Sequence, residues 1–167
     1  MGKVPCQIGT KLPIWHLYEA FLNDSQIEAE ALDILKNGSS NGRDQVQRYI
    51  DAVQGLSLQY AVMVYLAMNG YTVSRAPRGV FHYDLVVDGI KVDVKGRFTG
   101  KYWQQSKFEA EEIQKTGDEV LYFCVDYFSE TQRPNALDRF VYHGSCWSND
   151  LCTLHYNPYV TNFNECL

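Results

Sequence analysis

No stretch of this 167-residue chain approaches the roughly 18 consecutive apolar residues that a membrane span needs, so no membrane partner is expected. The first fifteen residues, MGKVPCQIGTKLPIW, hold no apolar signal core. The expected location is therefore cytoplasmic, with the five scattered cysteines (6, 124, 146, 152 and 166) as reduced thiols. There is no internal repeat and no low-complexity run, which excludes repeat arrays. No Ser-His-Asp order, phosphate-binding glycine loop or dinucleotide fingerprint occurs, which removes the commonest triad hydrolases and nucleotide binders. A basic excess is missing too: the net charge is −5, which argues against binding nucleic acid by bulk charge alone.

What is present is an ordinary globular balance, 46% hydrophobic and 21% charged, sized for one domain. The pattern predicts helices and strands together in one domain. Residues 1–54 read as N-terminal helices, 55–126 as the core and 127–167 as a strand-rich extension with short strands near 139–142 and 151–156. Asp24 or Ser25 caps a helix running to about Lys36, and 37–44 (NGSSNGRD) is a loop. A short polar helix over 44–54 ends near Gly55, and a nearly all-apolar helix over 56–69 stops at Gly70. A strand over 71–75, a hairpin over 82–96, a helix over 104–115 and a buried strand over 119–128 follow. Charge is unevenly spread along these elements. Residues 71–107 carry seven basic and three acidic side chains, whereas 108–167 carry three basic and ten acidic.

The hairpin is the most informative stretch. Asp88-Gly89 is a strong two-residue turn signal. It sets Val87 opposite Ile90, Val86 opposite Lys91, Leu85 opposite Val92 and Asp84 opposite Asp93. Alternation then collects Tyr83, Leu85, Val87, Ile90, Val92 and Val94 on an apolar face. His82, Asp84, Val86, Lys91, Asp93 and Lys95 share the other. Two carboxylates directly opposite each other repel by roughly 0.2–1 kcal/mol. A divalent ion removes that conflict: Mg²⁺ takes oxygen ligands and keeps several waters, so two carboxylates and one backbone carbonyl suffice. Lys95 is then placed to orient a water or to stabilise a pentavalent phosphate.

The segment from Tyr83-Asp84-Leu85 to Val92-Asp93-Val94-Lys95-Gly96 resembles the PD-(D/E)XK nuclease superfamily, in which a lone acid on one strand precedes acid-x-lysine on the next. Asp84 matches the first acid, and Asp93 and Lys95 match the pair; Tyr83 stands where a proline is usual. Upstream, Leu66 and Gly70-Tyr71 fit the family's helix, and its glutamate position falls on Gln59. The resemblance spans about residues 55–126 and implies an α/β fold with a central mixed β-sheet flanked by helices, a restriction-endonuclease-like core. It implies Mg²⁺-dependent hydrolysis of phosphodiester bonds in double-stranded or branched DNA, with Mn²⁺ as a substitute. The ligands would be Asp84, Asp93 and the carbonyl of Val94, with Lys95 and Gln59 completing the catalytic set. A neutral amide at position 59 favours one strongly bound ion over two. Restriction, homing and junction-resolving enzymes all fit, and cutting both strands is simplest for a homodimer.

Basic and aromatic side chains interleave after the motif. Arg97, Lys101 and Lys107 are candidates for phosphates, Tyr102 and Trp103 for stacking, and Gln104 and Gln105 for bases or sugar. Arg75 and Arg78 are further candidates. In the tail, His143, Cys146, Cys152 and His155 form a symmetric pattern compatible with Zn²⁺ or with ordinary buried thiols and histidines. The alternative to an enzyme is a catalytically inactive nucleic-acid-binding or assembly protein that keeps the fold.

Overall fold

The computed structural model describes residues 2–37, 42–98, 105–149 and 161–167. Its centre is the hairpin. Asp88 and Gly89 both take positive φ, 48° and 82°, as a type I′ turn requires to match the twist of the strands it joins. The turn joins β2 (Leu85–Val87) to β3 (Ile90–Phe98), paired Leu85 to Val92, Val86 to Lys91 and Val87 to Ile90. This is the register expected from the alternation. β1 (Val73–Arg75) adds antiparallel to β2. Helix α4 (Lys107–Thr116), capped by Ser106, then carries the chain across to β4 (Leu121–Tyr127). A parallel pairing such as β3 with β4 needs a crossover of this kind. β5 (Phe140–Trp147) returns antiparallel to β4, after a turn of 3-10 helix at Ala136–Asp138. The result is one mixed five-stranded sheet in chain order, flanked by helices.

Three helices precede the sheet: α1 (Trp15–Leu22), α2 (Ser25–Asn37) and α3 (Gln45–Met68); α5 (Phe163–Cys166) follows it. The sequence pattern divided α3 at Gly55. The structure runs it unbroken from its Asp44 cap, whose side chain accepts from the Gln47 amide. The reason is tertiary. Ala52, Val53 and Leu56 lie against Ile27 and Ala31 of α2, so burial continues through the glycine and offsets its cost of about 1 kcal/mol. Gly70 does need to be glycine: its φ is +94°, and a Cβ there would meet Lys3 Cα at 3.3 Å. Among the described residues no helix is long and apolar enough to cross a membrane.

One face of the sheet makes the main core. Leu85, Val87, Val92, Leu121, Phe123 and Val125 pack there with Leu58, Ala61, Val62 and Leu66 of α3. Tyr83 does not join them. It packs on the opposite face with Val86, Val120 and Ile113 of α4. The alternation was extended one residue too far, because β2 begins only at Leu85. The tail is more integrated than a separate extension. β5 spans 140–147, and its outer edge is covered by residues 9–12 and by Thr161. The strand expected over 151–156 lies outside the described residues.

An ion cluster secures the α4 face. Asp118, just beyond α4, accepts from His82 Nε2 at 2.6 Å and from the Lys91 ammonium of β3. Those two hydrogen bonds, Lys91 first, pull its carboxyl down to about 2 from 3.8. A depressed carboxyl stabilises the fold above its unfolded value and loses that contribution as pH falls through its folded value. Lys91 is partly open to solvent, which screens the pair, so Asp118→Asn should cost at most about 1 kcal/mol at pH 7. Urea denaturation should show the gap between wild type and variant closing as the pH drops below about 4.

Candidate active site

Because β2 begins only at Leu85, Asp84 stands just outside the regular ladder, not in it directly opposite Asp93 as the alternation predicts, with its side chain turned back to β3. Its amide donates to the Val92 carbonyl at 2.9 Å. Its carboxylate Oδ2 accepts from the Val94 amide, also at 2.9 Å. Within a strand a residue's N–H and C=O point to the same side, so the Val94 carbonyl faces the edge that Asp84 occupies. Asp93 and Lys95 alternate with core-facing Val92 and Val94, and so project together onto the α4 face.

Asp93 is only 4% exposed and sits against Asp84. Burial pushes the Asp84 carboxyl well above the usual range, and the neighbouring Asp93 charge and a hydrogen bond between the two push it further. Asp93 Oδ2 is buried without a well-formed hydrogen bond, although Lys95 Nζ lies 3.0 Å away. A paired carboxylate site with an orphaned buried oxygen fits a hard divalent cation. Among the described residues no three His, Cys, Asp or Glu side chains are arranged to hold a metal. Asp84, Asp93 and the Val94 carbonyl are the groups that could hold such an ion, with water completing an Mg²⁺ shell.

The side chain that sequence reasoning missed is Glu109. It grips Lys95 Nζ with both oxygens, at 2.7 and 2.8 Å. Burial first, and Asp93 second, push its carboxyl up to about 7, although Lys95 pulls it down. For Lys95, burial works against the ammonium, but Asp93 and Glu109 outweigh it and hold the proton well above the ordinary value. Ser106-x-x-Glu109 is a capping-box spacing, and the Ser106 hydroxyl does accept from the Glu109 amide at 3.0 Å. That spacing was the signal available.

Gln59 is buried, and its amide donates to the Asp84 backbone carbonyl at 3.3 Å. It thus holds the main chain that carries the first acid. Gln105 donates to the Tyr122 hydroxyl, and the Lys95 ammonium lies 5.9 Å from the centre of that tyrosine's ring.

The basic excess of 71–107 is largely paired inside the fold. Arg75 binds Glu30 at 2.7 Å and stacks over Tyr60. Lys91 binds Asp118, Lys95 binds Asp93 and Glu109, and Arg97 binds Asp126 at 2.6 Å. Arg78 and Lys107 are exposed, with Lys107 3.9 Å from Glu111. Lys101, Tyr102, Trp103 and Gln104 lie outside the described residues, as do Cys152 and His155. Of the proposed zinc set, His143 Nδ1 meets Asp126 at 2.9 Å, and Cys146 packs with Tyr122 and Cys124.

No family model, curated protein or solved structure matches the chain.

Proposed function

We propose that the protein is a metal-dependent endonuclease that hydrolyses phosphodiester bonds in double-stranded or branched DNA. The observation that carries this reading is the Asp84–Asp93 pair. Two carboxylates are pressed together on a sheet face, one oxygen is left without a hydrogen bond, and a lysine stands two residues away. Left to itself that arrangement is unfavourable; beside a cation and a phosphate it is complementary. The order α3, β1-β2-β3, α4, β4 also suits the PD-(D/E)XK resemblance.

Mg²⁺, or Mn²⁺ in its place, supplies charge neutralisation and an acidified water when bound. Asp84 and Asp93 would hold it with the Val94 carbonyl. Gln59 keeps Asp84 in place through its backbone. Lys95 lies where its ammonium can orient an attacking water or neutralise charge on the phosphate. Arg78, Lys107 and the 101–104 segment are the candidates for backbone and base contacts, and a homodimer in the cytoplasm would place two such sites on two strands. The inactive, nucleic-acid-binding alternative draws support from Arg75, Lys91, Lys95 and Arg97, all engaged by acidic partners.

Incubating the protein with plasmid and with four-way-junction DNA in Mg²⁺ tests the reading. Wild type should cut at least one, and Asp93→Ala and Lys95→Ala should not. No cutting by wild type, or equal cutting by all three, would refute it.

A further inference from the structure

Lys95 has a choice of partners. It makes two close contacts to Glu109, at 2.7 and 2.8 Å, and one to Asp93, at 3.0 Å. The contact to Asp93 is an ion pair through one oxygen, against two oxygens from Glu109. Glu109 is not positioned by chance. Its amide is bound to the Ser106 hydroxyl in the first turn of α4, so helix capping fixes where the carboxylate stands. The Tyr122 ring, tethered by Gln105, lies beside the same ammonium.

The alternative arrangement is easy to state. A lysine two residues from Asp93 on the same strand face is within reach of both acids of the pair. An ammonium seated between Asp84 and Asp93 would neutralise their repulsion without any metal and would compete with one for the same oxygens. From this geometry we infer that Glu109 is a positioning residue for Lys95: it holds the ammonium at the outer side of Asp93, shared between the two carboxylates, and keeps it from seating between Asp84 and Asp93 where a divalent cation would bind. The inference rests on the metal-site reading above. It adds a specific role for a carboxylate that binds no metal itself.

The test is calorimetric titration of the full-length protein with Mn²⁺ and with Ca²⁺, without DNA. In Glu109→Gln, Lys95 loses its bidentate partner and is free to move in between Asp84 and Asp93. Cation affinity should drop about tenfold, the lower end of what loss of an outer-shell partner of a metal site costs. In Lys95→Met/Glu109→Gln the competitor is gone, and affinity should return to within about twofold of Lys95→Met alone. Unchanged affinity in Glu109→Gln overturns the inference while leaving the metal site standing. A double variant as weak as Glu109→Gln makes Glu109 a metal ligand and also overturns it. Failure of wild type to bind either cation overturns both readings. Circular dichroism melts check folding. If Glu109→Gln alone does not fold, the double variant, whose cluster charge is unchanged, gives the decision by comparison with Lys95→Met.

Discussion

Asp93→Asn should abolish DNA cleavage, by about a thousand-fold or more, while the melting temperature stays at or above that of wild type. The two halves of this outcome come from the same geometry. A cation that polarises a phosphate contributes several kcal/mol to the transition state, and about 4 kcal/mol is a thousand-fold at 1.36 kcal/mol per decade. An amide at position 93 keeps the shape but loses the charge that helps hold the ion. In the metal-free protein that charge is only partly offset, because Lys95, 3.0 Å away, is shared with Glu109. Asp93 is 4% exposed, faces Asp84, and is the second cause, after burial, of the upward displacement of the Asp84 carboxyl. Removing it relieves the repulsion, while Lys95 keeps Glu109. A purely structural Asp93, paired with Lys95 to hold the strand, predicts the reverse: a lower melting temperature, with any activity impaired only in proportion to unfolding. Measuring cleavage rate and thermal midpoint on the same preparation separates the two, and a large fall in midpoint would sink the functional account.

Much of this site could be read from the sequence, because local rules governed it. Asp88-Gly89 set the turn, and the turn set the register of Leu85, Val86 and Val87 and put Asp93 and Lys95 on one face; Asp84 reaches Asp93 from just beyond the ladder rather than as its direct partner in it. What could not be read was settled by partners distant in sequence. Gly55 looked like a helix end until α2 packed across it. Tyr83 is buried as its apolar character suggests, but against α4 rather than α3, because β2 starts only after Asp84. The outer edge of β5 takes a segment from residues 9–12, more than a hundred positions away, and no periodicity foretells that. The basic segment misled for a related reason. A count of charges along the chain cannot show that Glu30, Glu109, Asp118 and Asp126 return to neutralise Arg75, Lys95, Lys91 and Arg97. The local excess is mostly internal pairing, so exposed cations such as Arg78 and Lys107 become the better candidates for DNA contacts.

Lys95→Met should destabilise the metal-free protein by about 3 kcal/mol at pH 7.5, and acid should remove most of that loss. The ammonium is largely enclosed and is the shared counter-ion of Asp93 and Glu109. Taking one partner from a buried pair typically costs about 3–5 kcal/mol because an uncompensated charge remains. The lower end applies here, since Glu109 can take up a proton. Its carboxyl already stands at about 7 against an ordinary 4.5, with Lys95 holding it down from higher still. The sign follows from that order. A carboxyl raised in the folded state contributes stability that is present below its unfolded value and is lost as pH rises through the folded one. Wild type should therefore weaken between about pH 4.5 and 7 on account of Glu109, with Asp84 acting in the same direction. Without Lys95 the Glu109 carboxyl moves further up, and the loss extends to higher pH. Urea midpoints for wild type and Lys95→Met should lie close together at pH 5 and diverge steadily to pH 8. Saturating Mn²⁺ should narrow the gap at pH 8, because an ion on Asp84 and Asp93 replaces the missing positive charge. Parallel midpoints across the whole range would mean that Lys95 is not the counter-ion of this acidic cluster, and the account of the site would have to be rebuilt without it.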